Sequence, residues 1–290
     1  MTDQSASLSV ASRQSRPGRS SRTRVIFIGL TYAVFVLLLL APLAQIGAEA
    51  FHGGFSSFAA SLTRPEALHA LGMTGAVVIV VTILNTIFGV LFALLLVRGR
   101  WLGKRARRLL NSIVDLPFAV SPVIGGFMIV LLLGPNTVLG ALFSGLGMPV
   151  VYAFPGMVLA TLFVTFPMMV REVAPVLQEL GTQQEEAAST LGAYDWTIFW
   201  KVTWPSIQWA VTYGIVLTIA RSLGEFGAVL VVSGNIMNKT QTATTLVYQD
   251  VENFNIGSAG SLALVLACVS VVLLLLMEWA KKHKRHKGVD

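Results

Sequence analysis

Six stretches of this chain are apolar over lengths that a bilayer crossing demands. They lie near 25–46, 72–97, 116–133, 152–170, 209–232 and 259–280, and a helix needs about 20 such residues to span the hydrocarbon. Of the 290 residues, 54% are hydrophobic and only 12% are charged, whereas soluble domains carry about a quarter charged residues. The sequence therefore predicts an all-α integral membrane protein with six transmembrane helices. Pro117, Pro122, Gly125 and Gly126 should distort the third span, and Pro155 and Pro167 should bend the fourth, because proline removes a backbone donor and clashes with the preceding turn.

The basic residues orient these spans. All of the 21 Lys and Arg except Arg64, Lys239 and Arg221 fall ahead of span 1, between spans 2 and 3, between spans 4 and 5, or after span 6. The 134–151 connection carries no charge at all. Cationic loops stay on the cytoplasmic side, so both termini are expected in the cytoplasm. The net charge of +7 is then a topology signal, with anionic membrane lipid rather than nucleic acid as its neighbour. Residues 1–24, rich in Ser and Arg, read as a disordered basic tail, residues 25–280 as the six-span membrane domain, and 281–290 as a second basic tail. The apolar run after the N-terminal arginines is too long for a signal peptide. His283 and His286 read as part of the solvated tail rather than as metal ligands, and Cys268, the one cysteine, as a packing residue.

A polar segment, "EEAASTLGAYDWTIFWKVTWPSIQ" at 185–208, interrupts this pattern on the cytoplasmic side. Thr182 and Glu185 are spaced for a capping box, and Glu185 and Glu186 suit the first turn of a helix. Ala187, Ala188 and Leu191 form a small apolar face, and Gly192 supplies a stop. Asp195 is placed to cap a second short helix carrying Trp196, Phe199 and Trp200, and Pro205 suits the first turn of span 5. The expected product is a helical hairpin within a 178–208 loop. It either folds back under the spans or offers its apolar face to a cytoplasmic partner.

Glu186-Ala187-Ala188, three residues, Gly192, nine residues, then Val202-Thr203-Trp204-Pro205 resembles the EAA loop of ABC-importer permeases, with Val202 and Trp204 where that family usually has Ile and Leu. "DLPFAVSPVIGG" at 115–126, "PGMVLATLFVTFPMMVREVAPV" at 155–176 and "RSLGEFGAVLVVSGNI" at 221–236 look like the sulfate/thiosulfate permeases, the W type more than the T type. "GEFGA" also occurs in related molybdate permeases. The resemblance implies a type I ABC-importer permease fold and a coupling loop that docks on a separate ATP-binding subunit through Glu186, Ala187, Ala188, Leu191, Gly192 and Pro205. It further implies a heterodimer with a T-type permease, two copies of the ATP-binding subunit, and an extracytoplasmic sulfate/thiosulfate-binding protein. ATP and Mg would be held by that partner ATPase, since this sequence has no phosphate-cradling Gly-x-x-x-x-Gly-Lys-Ser/Thr segment.

Arg221 and Glu225 lie four residues apart inside span 5, on one face of a continuous helix. Charges at membrane depth line wet pathways or pair with one another, and both readings stand: an anion route in which Glu225 tempers Arg221, or a structural pair. Ser121 and the amides around Pro122 are further candidates for the route, because freed N–H groups at helix starts bind oxyanions. Asp115 reads as a helix cap. No catalytic residue and no metal site is expected. An ion-coupled secondary transporter is the rival reading, and only the importer explains the 185–208 segment together with the membrane-embedded remainder.

Overall fold

The structure, a computed structural model, describes residues 20–99 and 102–285, with side chains from 24 to 279 within that range. Of the expected tails at 1–24 and 281–290, residues 1–19 and 286–290 lie outside it, as do Arg100 and the side chains of His283 and His286, while 20–24 and 281–285 continue the flanking helices. The chain divides after Gln45 into two units. The first is the leading part of α1 (Ser20–Ala50), a helix that starts five residues before the expected span and exposes every described side chain from Arg24 to Gln45.

The second unit contains only helices among its described residues. In order they are α2 (Gly54–Thr63), α3 (Pro65–Arg98), α4 (Lys104–Ala119), α5 (Pro122–Leu133), α6 (Val138–Gly145), α7 (Phe154–Leu180), α8 (Gln183–Thr190), α9 (Asp195–Ile198), a five-residue π-turn (Phe199–Thr203), α10 (Trp204–Leu223), α11 (Gly227–Ser233), α12 (Ala243–Glu252) and α13 (Ile256–Arg285). Four helices are long and apolar enough to cross a membrane, and six segments qualify if each of two bent pairs counts as one span.

Those bent pairs correct the sequence reading of spans 3 and 5. Span 3 is not one helix: α4 and α5 meet at 110°. Pro122 opens α5, and Val120 and Ser121 ahead of it are extended (ψ 131° and 137°), the backbone that a following proline enforces. Span 5 bends by 60° between α10 and α11, so Arg221 and Glu225 do not share a continuous helix. The fourth span is simpler than expected. Pro155 sits in the first turn of α7, where its missing N–H costs nothing, while the helix runs unbroken past Pro167 and Pro175 to Leu180. It extends ten residues beyond the apolar run because Arg171, Glu172 and Glu179 end the oil without ending the helix. Cys268 is exposed on α13, not packed.

The core is built where α3, α7 and α10 meet. Between apolar helices in lipid there is little hydrophobic drive, so small residues and interhelical hydrogen bonds do the joining. Met169 of α7 fills a slot between Gly89 of α3 and Gly214 of α10; a Cβ at Gly89 would come within 2.6 Å of it, and one at Gly214 within 2.7 Å. One helical turn away, the fully buried Asn85 donates Nδ2 to the Thr165 carbonyl (3.0 Å) and the Thr218 hydroxyl (3.1 Å), tying the same three helices. A second close approach joins the broken helices. Gly126 of α5 lies against the Ala228 backbone of α11, where a Cβ would stand 2.6 Å from the carbonyl oxygen. At the α2–α3 junction, Arg64 pairs with the buried Asp250 of α12 at 2.7 Å.

Backbone cannot retreat as a flexible side chain can, so Gly126→Ala should destabilise the protein by about 1–3 kcal/mol through overpacking. Gly75→Ala, with nothing within 4 Å of its Cβ, should be neutral. Thermal unfolding of the purified protein in detergent checks this; equal midpoints for the two variants would contradict it.

Candidate functional site: the α8–α9 hairpin

At its C-terminal end, α3 delivers Arg98 to a junction of four segments. Its Nη1 donates to the Leu177 carbonyl (3.0 Å) and its Nη2 to the Gly181 carbonyl (2.6 Å). Both acceptors belong to the end of α7, where carbonyls lack helical partners and the dipole favours a cation. Nε of Arg98 lies 2.8 Å from Glu185 Oε2 in α8. The other oxygen of Glu185 accepts from the Thr203 hydroxyl in the π-turn (2.9 Å). One guanidinium thus fastens α3, α7, α8 and the π-turn.

Two sequence expectations are corrected here. Thr182 makes no side-chain cap, so the capping box does not form; Glu185 turns to Arg98 instead, because a cation is a stronger partner than a backbone amide. Asp195 is the first residue of α9, Tyr194 holds the cap position, and no side-chain cap is made. Gly192 behaves as read. It has φ +84°, its amide donates to the Ser189 carbonyl (3.0 Å), and that of Ala193 donates to the Ala188 carbonyl (3.1 Å), a Schellman stop for α8.

Pro205 lies in the first turn of α10, yet the helix does not begin afresh there. It runs on from α9 through the π-turn, in which the Trp204 amide bonds back to Phe199, five residues away. That wider turn absorbs the donor that Pro205 lacks, a usual role of π-bulges. Along this rod Trp196, Phe199, Trp200 and Trp204 contact one another with centroids 5.2–6.3 Å apart, forming an aromatic ladder of the kind that sits at membrane interfaces.

The expected apolar face of α8 stays open. No residue of α8 is buried, and Leu191 is 89% exposed, together with Tyr194 and Trp196. Glu186 and Ala187 are exposed and Ala188 is half-buried. Between the arms lies a groove of about 1030 Å³ bordered by Arg98, Glu185, Glu186, Asp195, Phe199 and Thr203. Its rim carries three carboxylates and one arginine.

The remaining candidates lie apart from this groove. Glu225, buried at the α10–α11 break, pairs with Arg221 at 2.8 Å and accepts from the Ala228 amide (3.0 Å), while Thr244 donates to its carbonyl (2.8 Å). It is structurally engaged on every side. Arg221 is partly exposed. Ser121 is exposed at the start of α5 and caps nothing; its neighbour Val123 lies next to Gly227 of α11, so the first turns of α5 and α11 adjoin. Asp115, expected as a cap, is inside α4 and binds Arg171 of α7 through both oxygens, one at 2.9 Å. Among the described residues no cluster of His, Cys, Asp and Glu could hold a metal.

An all-helical membrane component with a projecting, carboxylate-rimmed hairpin is the class this architecture defines. Residues 85–286 match the family described as binding-protein-dependent transport system inner membrane component, and the chain belongs to that family. It is 43% identical to the sulfate transport system permease protein CysW of Synechocystis, over 92% of this chain and 96% of that one. With the sulfate transport system permease protein CysT of Escherichia coli K12 it shares 34% identity over 91% and 93%. The higher identity to the W-type chain agrees with the motifs at 115–126 and 221–236. A crystal structure of a bacterial ABC transporter that imports the acidic polysaccharide alginate contains a chain of the same fold, with TM-score 0.74 and 19% identity over 91% and 96%. Members of this family are transport components and not the ATPases themselves.

Removing either partner of the Arg98–Glu185 pair should loosen the hairpin. In a double-mutant cycle with Arg98→Gln and Glu185→Gln, the coupling energy should be about 1–3 kcal/mol, and amide exchange over 182–204 should quicken in both single variants. Additive effects would show that the pair does not hold the segment.

Proposed function

We propose that this chain is one permease subunit of an ATP-driven importer of sulfate or thiosulfate, with six spans and both termini in the cytoplasm. The observation that carries the substrate class is its 43% identity, over 92% of the chain, with a sulfate transport system permease. Each bent pair then counts as one span, which returns the hairpin and the basic connections to the same side, as the distribution of Lys and Arg demands. A T-type permease completes the pathway, and an extracytoplasmic binding protein delivers the anion. Two ATP-binding subunits, holding ATP and Mg, supply the work.

The hairpin is the docking element for one of those subunits. Its open apolar residues Leu191, Tyr194 and Trp196 are the anchors that a protein groove would bury. The carboxylates of Glu186 and Asp195 call for basic residues on the partner. Gly192 sets the angle between the arms, and Pro205 with the π-turn marks where the docked segment becomes the membrane rod. Movement of the hairpin reaches α3 and α7 through Arg98, so a push from the ATPase is delivered to the core helices together. Arg221 and Ser121 line the anion route in this reading, with Glu225 limiting how tightly Arg221 holds a dianion.

At Gly192 any side chain must adopt φ +84°, a left-handed conformation that costs about 1–2 kcal/mol. Gly192→Val and Glu186→Ala should each abolish sulfate uptake and substrate-stimulated ATP hydrolysis in the reconstituted complex, with the chain still inserted in the membrane. Radiolabelled sulfate uptake into proteoliposomes reads the outcome. Normal uptake by both variants would refute the docking role, and uptake persisting without the ATP-binding subunit would favour an ion-coupled carrier.

A further inference from the structure

Helix α4 is amphipathic in a way the transport reading does not use. At about 100° per residue, Lys104, Arg105, Arg108, Asn111 and Ser112 fall on one arc of its surface. Leu110 and the buried Val114 turn inward to the core shared with Leu96, Ala174 and Leu177. The third arc, beside the cations, holds Leu109, Ile113 and Leu116, which are 65%, 60% and 45% exposed. Bare leucine and isoleucine directly next to bare lysine and arginine is the surface of a helix at a lipid headgroup boundary.

The charges confirm how open this face is. Among the described residues Lys104, Arg105 and Arg108 have no carboxylate partner, and Arg107 reaches only the Gly99 carbonyl at 3.2 Å. Asp115, the one acidic residue of α4, is taken by Arg171 through both oxygens. The chain then turns by 110° into the wholly apolar α5, so α4 does not continue the direction in which that helix runs. Its packing beside the ends of α3 and α7 puts it at the same end of the molecule as the hairpin.

We infer that the outer face of α4 binds anionic phospholipid, with headgroup phosphates on Lys104, Arg105 and Arg108 and acyl chains against Leu109, Ile113 and Leu116. A phospholipid presents both halves of this pattern in one molecule, charge beside hydrocarbon. The hairpin assigned to the ATPase has the opposite sign at its rim, so the two faces suit different partners. Through Asp115 and Arg171 the lipid-bound helix is fastened to α7, the helix that leads into the hairpin. The cytoplasmic leaflet is the source of this lipid if the orientation proposed above holds, but headgroup preference does not depend on that orientation.

The test places one fluorophore on this face. With Cys268→Ser removing the native thiol, Ile113→Cys is labelled with bimane, and the protein is reconstituted into symmetric nanodiscs. Dibrominated phosphatidylglycerol and dibrominated phosphatidylcholine are compared as quenchers at equal mole fraction. The anionic lipid should quench at least about twofold more strongly. That preference should vanish in the Lys104→Gln/Arg105→Gln/Arg108→Gln variant, and also at about 0.5 M salt with the basic residues intact. Equal quenching by the two lipids would overturn the inference, as would the absence of quenching by either, which means that protein covers the face. The salt arm keeps the decision possible should the triple variant fail to insert.

Discussion

The guanidinium of Arg98 is the point on which the hairpin end of this protein turns. It closes the last carbonyls of α7, holds the carboxylate of Glu185, and through Glu185 reaches Thr203. Each of these groups would be costly to leave unpaired in a partly dehydrated setting. Arginine suits the place because its planar fork can serve several acceptors at once, where a lysine ammonium could not meet all of them in this geometry. A short helix such as α8 is marginal by itself, and it buries nothing. Its position is set by electrostatic tethering to the core and not by packing, so it can project its apolar residues outward.

Behind this tether the membrane core is arranged for rigidity. Met169 locked between Gly89 and Gly214, and Asn85 bridging Thr165 and Thr218, make α3, α7 and α10 one body. The broken pairs are of a different kind. At Ser121–Pro122 and at Gly224–Phe226 the backbone leaves the helix, and the resulting first turns of α5 and α11 adjoin at Val123 and Gly227. Irregular backbone at membrane depth is sustained only against protein or water. Here Glu225 meets the need at α11, bonding the Ala228 amide and Arg221, while the start of α5 keeps Ser121 unengaged and exposed.

Much of this was legible in the residues. Bilayer-length apolar runs announce membrane helices whatever their packing, and Gly192 ends α8 because only a residue tolerant of positive φ fits there. The prolines foretold the break in span 3. What could not be read was which partner a polar side chain would choose. Thr182 and Glu185 are spaced for mutual capping, but Arg98, 87 positions away in sequence, wins Glu185, and Arg171 likewise takes Asp115 from its expected capping role. The four-residue spacing of Arg221 and Glu225 gave the correct pair from the wrong premise, since the contact survives a helix end between them. The π-turn before Pro205 and the small helices α2, α6 and α12 left no periodic signal long enough to be recognised.

The central claim is that the open face of the hairpin is a docking surface for a cytoplasmic ATP-binding subunit. The direct measurement is maleimide labelling of Leu191→Cys in the Cys268→Ser background, with and without the ATP-binding subunit of the same transporter. Phe254→Cys, at a position also highly exposed and assigned to the opposite side of the membrane, serves as the control in permeabilised vesicles. The account predicts that the partner protects Leu191→Cys and leaves Phe254→Cys unchanged. Labelling of Leu191→Cys at the same rate in the assembled complex as in the free chain would contradict it.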